Sequence, residues 1–372
     1  SVRYKKWLAS DQTVSIDETI TSPTSGVHAV SLDVDSGGIA GIAYIVWTSD
    51  NPPTNSTWTH RTYFTQRTSG AWIASETVRT SNAGAYTTSQ KDISKGVSLR
   101  YRSDNEPRVA RTVAGDASNG VGYHKRTAGT WTDASTSAGV GNLHGMCSLY
   151  LESNTYPRIM ASDSGANLIK LYNSSSSDTD VSGLVDSVAV TFANSDYGVE
   201  LTRLSTNAYV GGYCTSGALK KRNFTATSNT TIDSGTTNIF GGYVVDASDR
   251  DVCYSSVGST RVERYTFENS LVVSNTAVTT TTLVPGDRGM HRSSNVYASI
   301  NFGANANEIL VRRLSYRATW TGPESSDSTL TAWGTYDVAD QSANGNTITH
   351  EVALASASPA SSYSAMISGQ VI

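Results

Sequence analysis

The chain has 372 residues, of which 38% are hydrophobic and 16% are charged, and its formal net charge is −4. So small a charge, without a basic stripe, excludes recognition of nucleic acid by overall attraction. No apolar run approaches the length of about 18 residues that a membrane-spanning helix needs, so we expect no membrane insertion. Thr, Val and Tyr are abundant, which favours β-strands over helices.

The N-terminal segment has the pattern of two strands and no signal peptide, because Lys5 and Lys6 precede no apolar core. Its stretch Val14–Ile20 (VSIDETI) aligns with Trp72–Val78 (WIASETV), and both end in Glu-Thr followed by an aliphatic residue. The second stretch closes a repeating unit further along the chain. We therefore expect the chain to open with the back half of such a unit.

A short frame that predicts a strand recurs along the rest of the chain. Its clearest copies are Gly96–Leu99 (GVSL), Met146–Leu149 (MCSL) and Glu351–Leu354 (EVAL), and turn-forming residues follow the first two. Successive copies lie between 41 and 67 residues apart, which brackets the spacing of four-stranded propeller blades. One anchor residue marks each of seven copies: Leu32, Leu99, Leu149, Leu201, Gly242, Met290 and Leu354.

These repeats resemble the seven-bladed β-propeller superfold, an all-β fold, with a closing blade made from both chain termini. The resemblance implies one β-propeller domain over residues 1–372. Residues 1–24 would form the outer strands of the seventh blade, and 348–372 its inner strands. The first six blades would occupy about 27–321, followed by an insertion at 322–347. Pairing the two termini in one sheet would remove a free sheet edge.

Some units turn through a small residue into tryptophan, at Trp72, Trp131 and Trp320, where packing between outer strands is the expected role. The cysteines are few, widely spaced and inside predicted strands. Buried free thiols are therefore the expectation, which fits folding in a reducing compartment. These three residues are Cys147, Cys214 and Cys253.

Single residues suited to glycoside hydrolysis occur on the inner strands, but the Ser-x-Asp-x-Gly-x-Thr-Trp box usual in sialidases is absent. Neutralisation of Arg100 and Arg102 by Asp33 and Asp35 is the simpler interpretation of the charges, so no catalytic residue is predicted. The six histidines show no metal-ligand spacing, and no cofactor or metal site is predicted. The residues considered were Asp33, Arg100, Tyr101, Arg102, Glu152, Arg203 and Arg292.

Two insertions with aromatic residues are the predicted binding surfaces, because loops carry function more often than scaffold does. They span 46–60 and 322–345, and the candidate binding residues are Trp47, Trp58, Trp333 and Tyr336. In the alternative interpretation Trp47 ends a strand, and Trp333 and Tyr336 belong to an extra strand that covers a blade edge.

Only packing and turn positions repeat between units, which argues against a lectin with a sugar site in every blade. The diverged blades, free thiols and Ser/Thr-rich surface resemble virion structural proteins of tailed phages, such as tail, fibre or decoration components. That resemblance implies a non-enzymatic attachment protein that folds in the host cytoplasm and functions in the virion. Its partners would be other virion proteins or its own copies, and host-surface glycan. Two alternatives stay open: an extracellular lectin with one site, and a propeller glycosidase that depends on Asp33 or Glu152.

Overall fold

The structure is a computed structural model in which every described element is a β-strand. It describes residues 2–7, 14–21, 27–49, 58–82, 96–113, 120–136, 147–152, 156–163, 166–174, 178, 181, 183–191, 199–215, 218–233, 238–245, 251–257, 260–267, 271–279, 290–293, 296–302, 309–317 and 333–340. Within these ranges no helix is long and apolar enough to cross a membrane. The chain divides into two compact units, 1–189 and 190–372, which are described separately.

The first unit contains a two-stranded sheet and three larger sheets, all antiparallel. The small sheet pairs β1 (Val2–Trp7) with β2 (Val14–Thr21). The next contains β3 (Val27–Val34), β4 (Ala40–Ser49), β5 (Trp58–Thr68), β6 (Ala71–Trp72) and β7 (Glu76–Asn82), with β6 and β7 both paired to β5. Two four-stranded sheets follow: β8 (Val97–Tyr101), β9 (Pro107–Val113), β10 (Gly120–Thr127) and β11 (Thr130–Thr136), then β12 (Cys147–Glu152), β13 (Tyr156–Asp163), β14 (Leu168–Asn173) and β15 (Gly183–Ala189).

The second unit contains three four-stranded antiparallel sheets. The first is β16 (Val199–Arg203), β17 (Tyr209–Thr215), β18 (Ala218–Asn223) and β19 (Ser228–Asp233). The second is β20 (Asn238–Val245), β21 (Asp251–Val257), β22 (Thr260–Phe267) and β23 (Leu271–Thr279). The third is β24 (Met290–Ser293), β25 (Val296–Phe302), β26 (Ile309–Arg317) and β27 (Trp333–Asp340).

Consecutive sheets whose strands follow chain order are the blades of a β-propeller, so the predicted fold class is confirmed. Six of the anchor residues lie in the first strand of six successive sheets. The seventh anchor, Leu354, lies outside the described residues, as do all residues from 341 onward. A count of seven blades and closure by both termini therefore stay predictions.

The core of the first unit lies between adjacent sheets, and strand alternation explains which residues enter it. Val97 and Leu99 point to the sheet of β3–β7, where Leu99 is fully buried with Phe64 and Ala43. Burial of one such leucine side chain contributes about 1.5–3 kcal/mol. The intervening Ser98 points the other way.

The residue before the anchor links neighbouring first strands by a side chain-to-backbone hydrogen bond. The Ser31 hydroxyl accepts the N–H of Leu99 at 2.9 Å, and the Ser98 hydroxyl accepts the N–H of Leu149 at 3.0 Å. In the second unit the Glu200 carboxylate accepts the N–H of Tyr243 at 2.8 Å. A polar residue at this position is thus part of the scaffold.

The predicted loop placement of the four aromatic candidates is wrong, because all four lie in strands. The alternative interpretation correctly gave strands for Trp47, Trp333 and Tyr336, but Trp47 does not end its strand, and the strand of Trp333 and Tyr336 is one of four in its sheet and not an extra one. Trp47 lies inside β4 opposite His60, and Trp58 begins β5. Trp333 and Tyr336 lie in β27, the fourth strand of its sheet. Aromatic and β-branched residues favour extended strands, so the polar runs around them extend the sheets. A binding role for these four residues is a separate prediction, and it is untested.

Candidate functional site

A repeated ion-pair clasp joins neighbouring sheets of the first unit. Glu18 on β2 accepts hydrogen bonds from Nε and Nη2 of Arg67, each 2.9 Å, and from Nε1 of Trp72 at 2.8 Å. The Arg67 hydrogen bond outweighs desolvation and holds the pKa of Glu18 below its ordinary value. Both oxygens of the Glu18 carboxylate accept hydrogen bonds within the clasp, so we assign Glu18 a structural role.

The second copy of the clasp uses Glu76 on β7 in the same way. Glu76 accepts Nε and Nη2 of Arg126 and Nε1 of Trp131, all at 2.8 Å. Each arginine precedes its tryptophan by the same tight turn, in which Gly70 and Gly129 have φ of 85° and 81°. The half-buried Trp72 and Trp131 therefore serve packing, as predicted.

The inner-strand charges do not pair as the sequence led us to expect. The Oδ2 atom of Asp33 accepts the backbone N–H of Tyr101 at 2.7 Å, and Oδ1 of Asp35 accepts the N–H groups of its own turn. Arg100 donates from Nη1 to the carbonyl of Leu99 at 2.8 Å. Neutralisation of Arg100 and Arg102 by Asp33 and Asp35 is thus wrong, because backbone N–H groups, from β8 for Asp33 and from its own turn for Asp35, are the hydrogen-bond partners of the two carboxylates.

Tyr101 lies beside Asp33 as a half-buried, protonated phenol. Its ring packs edge-on against Phe64, with centroids 6.4 Å apart, and lies over Gly41, where a Cβ atom would collide with the hydroxyl. Burial, followed by the charges of Asp35 and Asp33, raises the pKa of Tyr101 well above its ordinary value. A phenol with a raised pKa is a poor nucleophile, so Tyr101 is a positioning residue at most.

Arg102 binds a carboxylate that the sequence pattern did not reveal. Asp178, between β14 and β15, accepts Nη1 of Arg102 at 2.8 Å, Nη2 of Arg108 at 2.7 Å and the hydroxyl of Tyr123 at 2.6 Å. Burial raises the pKa of Asp178, but the hydrogen bonds from Arg108 and Tyr123 outweigh it, and the net pKa lies below the ordinary value. Asp178 follows its partners by 55 to 76 residues, so no local spacing could have identified it.

Glu152 ends the third inner strand, β12. Its Oε2 atom lies 3.2 Å from Nη2 of Arg158, and both side chains are 19% exposed. The remaining inner-strand arginines considered, Arg203 on β16 and Arg292 on β24, belong to the second unit. Arg203 lies over the ring of Tyr209, 5.6 Å from its centroid.

A buried histidine lies in a fixed hydrogen-bond relay. Arg111 donates from Nε to Nε2 of His124 at 2.9 Å, so Nδ1 carries the proton and donates to Asp133 at 2.8 Å. Asp133 also pairs with Arg79. Burial lowers the pKa of His124 to about 4. A neutral histidine with both nitrogens occupied holds structure together and offers no site for a proton or a metal.

Cys147 is a buried free thiol, as predicted. Burial raises its pKa to about 12, so it is not a nucleophile. Cys214 and Cys253 lie in β17 and β21. Among the residues that the structure describes, no group of three His, Cys, Asp or Glu side chains could hold a metal ion.

Comparison with known proteins gives structural neighbours only. No protein-family model matches the chain, and no curated protein matches it. An α-L-arabinanase from Penicillium chrysogenum is 11% identical, with 78% of this chain and 93% of that chain covered and a TM-score of 0.43. A GH93 α-L-arabinofuranosidase of Fusarium graminearum is 13% identical, with 76% and 90% covered and a TM-score of 0.46. TolB from Acinetobacter baumannii is 14% identical, with 84% and 73% covered and a TM-score of 0.42.

Several of these neighbours are glycoside hydrolases, which contradicts the interpretation of the chain as a non-enzymatic virion protein. Nothing in the comparisons supports a phage-tail or attachment role. The virion interpretation and the expected absence of catalysis both rested on composition and on the divergence of the blades. Neither property excludes a single catalytic site on one set of strands. At such identities and TM-scores the neighbours assign no activity to this chain, whose chemistry has to be argued from its residues.

Proposed function

We propose that the protein is a β-propeller glycoside hydrolase in which Asp33 and Glu152 are the reacting carboxylates. Glycoside hydrolysis commonly requires two carboxyl groups, one to transfer a proton and one to act as base or nucleophile. Asp33 lies on β3 and Glu152 on β12, with β8 in contact with both of these strands. Both positions lie near the ends of first strands.

The carboxylate of Asp33 carries the proposal because it is half-buried and mostly uncommitted. It makes one hydrogen bond, through Oδ2, and no ion pair within the part of the chain that the structure describes. Glu18, Glu76 and Asp178, by contrast, are each consumed by arginine and by a second donor. Asp33 is therefore available to a substrate where those groups are not.

Glu152 complements Asp33 because its surroundings differ: it forms an ion pair with Arg158, whereas Asp33 accepts a backbone N–H. The Arg158 guanidinium stabilises negative charge on Glu152. In the proposed reaction Asp33 donates a proton to the glycosidic oxygen as the bond from that oxygen to the anomeric carbon breaks. Glu152 accepts a proton from the water molecule whose oxygen bonds to that carbon, and solvent returns the two carboxyl groups to their starting protonation states. Two carboxyl groups in different environments can divide the acid and base roles in this way.

The test is hydrolysis of a panel of aryl glycosides that includes the α-L-arabinofuranoside. We expect Asp33→Asn and Glu152→Gln each to lower kcat at least 100-fold, with unchanged circular dichroism and thermal midpoint. Asp17→Asn, an exposed change on β2, is the matched control and should retain full activity. Activity of the folded Asp33→Asn protein equal to wild type would refute the assignment.

We also propose that residues 348–372 supply the inner strands of the blade whose outer strands are β1 and β2. The support is an equivalence within the first unit. Tyr4 pairs with Glu18 and packs edge-on against Trp72 at 5.1 Å, as Phe64 pairs with Glu76 and packs against Trp131 at 5.4 Å. The strands β1 and β2 thus match β5 and β7 in their pairing and in their contact with a tryptophan of the next sheet, which supports the proposal.

Deletion of residues 348–372 tests this closure by hydrogen exchange of residues 2–21. The deletion should raise their exchange rates at least tenfold, because an unpaired two-stranded sheet is marginally stable. Unchanged protection of residues 2–21 would contradict closure by this segment. Hydrogen exchange of β16 provides the internal reference.

The four aromatic candidates are proposed as carbohydrate contacts, each pair within its own unit. Trp47 and Trp58 lie in the first unit and Trp333 and Tyr336 in the second, so each pair is tested separately. Alanine at either pair should weaken binding of an oligosaccharide about tenfold and leave hydrolysis of a small aryl glycoside unchanged. An unchanged oligosaccharide affinity for both double variants would remove the assignment.

A further inference from the structure

Two aromatic and two charged side chains lie together where β12 and β13 meet at their turn. In the register of these antiparallel strands Tyr150 is directly opposite Arg158, and Glu152 is directly opposite Tyr156. Directly opposite residues share a face of the sheet, and so do residues two positions apart in one strand. All four side chains therefore lie on one face, and the buried Leu149 points to the other. We call these four residues the Tyr156 patch.

An ion pair across the diagonal of the Tyr156 patch holds its two charged groups. Arg158 donates to Oε2 of Glu152 from Nη2 at 3.2 Å and from Nε at 3.4 Å. Both side chains are 19% exposed, so solvent reaches them. Groups that the fold has already ordered lose little conformational entropy when a ligand binds. The ion pair also leaves the two groups without net charge together, so the patch favours a neutral ligand over an ionic one.

Tyr156 is the most exposed member of the patch. It is 42% exposed, and within the described chain its ring packs against no other aromatic ring and its hydroxyl forms no hydrogen bond. Tyr150, beside Arg158, is half-buried. An exposed tyrosine offers an apolar ring face and a polar edge to a ligand.

The fold does not require an aromatic residue at position 156. Counted from the buried anchors, the matching positions hold Ile39 in the sheet of β3–β7, Glu106 in that of β8–β11 and Ala208 in that of β16–β19. These three residues are half-buried, whereas Tyr156 is exposed. Side chains so different in size and polarity share no packing role, so a ligand explains the tyrosine better than the scaffold does.

From this patch we infer that the Tyr156 ring stacks on a sugar ring of a neutral oligosaccharide and holds it against Glu152 and Arg158. A sugar ring has an apolar face of C–H groups and a rim of hydroxyl groups. An aromatic face beside a carboxylate and a guanidinium complements both parts. The inference rests on the proposed glycoside hydrolase and adds the residue that places the substrate at Glu152. Tyr156 is then a substrate-binding residue, whereas Asp33 and Glu152 carry the chemistry.

The test is calorimetry of the Asp33→Asn protein, in which the proposed reaction cannot consume the ligand, with arabinotriose, galactotriose, cellotriose and maltotriose. We expect one of these trisaccharides to bind, and Tyr156→Ala to weaken its binding about tenfold. Tyr156→Phe keeps the ring and should retain the affinity. Leu184→Ala is the matched control, because Leu184 is an exposed apolar residue on the other face of the same sheet. Absence of binding by all four sugars, or an unchanged affinity in Tyr156→Ala, would overturn the inference.

Saturation-transfer NMR provides a readout that needs no change at Tyr156. Saturation of the aromatic protein resonances should mark the C–H protons on one face of a bound sugar ring more strongly than those on the other face. Equal marking of both faces would contradict stacking on a single aromatic ring. A folding defect in a Tyr156 variant therefore leaves the inference open to refutation.

Failure of this inference differs from failure of the proposed function. Hydrolysis that depends on Asp33 and Glu152, together with equal trisaccharide affinity in the presence and absence of the Tyr156 ring, would retain the hydrolase and overturn the inference. Trisaccharide binding that depends on the Tyr156 ring, without any hydrolysis, would support the sugar site and refute the hydrolase.

Discussion

Glu76 and Arg126 face each other through two parallel hydrogen bonds of 2.8 Å, although 50 residues separate them in the chain. The guanidinium and the carboxylate are 17% and 25% exposed. A mostly buried ion pair with two hydrogen bonds contributes more to stability than an exposed ion pair does. We therefore expect this contact to stabilise the packing of the two sheets that it joins.

Removal of either partner of this clasp should destabilise the first unit. We expect Arg126→Gln and Glu76→Gln each to lower the free energy of unfolding by about 1–2 kcal/mol. In a double-mutant cycle the two changes should couple by about 1 kcal/mol. Urea unfolding followed by tryptophan fluorescence measures both quantities. Strictly additive effects would show that the pair contributes no interaction energy.

Asp178→Asn should lower the free energy of unfolding more than Arg126→Gln or Glu76→Gln does. The change leaves Arg108, which is 2% exposed, without its countercharge. A loss of about 3 kcal/mol is expected from a broken buried ion pair. The pKa of Asp178 is lowered in the folded state, so its stabilisation is present above the ordinary aspartate pKa and is lost as pH falls through the folded value. Urea midpoints of wild type should therefore decline with acid more steeply than those of Asp178→Asn. Parallel declines would contradict this.

His124 should destabilise the protein at mildly acidic pH. Its folded pKa of about 4 lies below the ordinary value of 6.5, because burial disfavours the charged ring. The unfolded chain therefore takes up the proton first, and stability is lost as pH falls from about 6.5 towards 4. The imidazole resonances of His124 should show no titration above about pH 5 in NMR spectra. Titration near 6.5 in the folded protein would refute the buried relay.

Gly41→Ala should be costly because a Cβ atom at this position would collide with the Tyr101 side chain. Overpacking of this kind costs about 1–3 kcal/mol. In the Tyr101→Ala background the same change should cost close to nothing, since the obstructing ring is gone. Thermal unfolding of the four proteins measures the difference. An equal cost in both backgrounds would place the strain elsewhere.

The sequence by itself determined the strands, and with them the blades. Period-two alternation, turn residues and the recurring anchors are local, so Leu99, Leu149 and Leu201 lie in first strands as predicted. Trp72 and Trp131 also follow from a local turn. The prediction of loops at Trp47 and Trp333 was wrong, because polar Ser/Thr-rich segments pair as strands when a neighbouring strand is available.

The partners of the charged side chains were decided by the tertiary structure alone. Asp33 binds the backbone of Tyr101 rather than an arginine, and Asp178 reaches Arg102 and Arg108 from a segment of another sheet. Such pairs join residues with no fixed sequence separation. A carboxylate pairs with the donor that the fold places nearest to it, because electrostatic and hydrogen-bond energies fall steeply with distance. From the sequence, Asp33 and Arg100 could be named only as charged residues on inner strands. The fold shows that neither forms an ion pair within the described chain, whereas Asp178, Arg102 and Arg108 do.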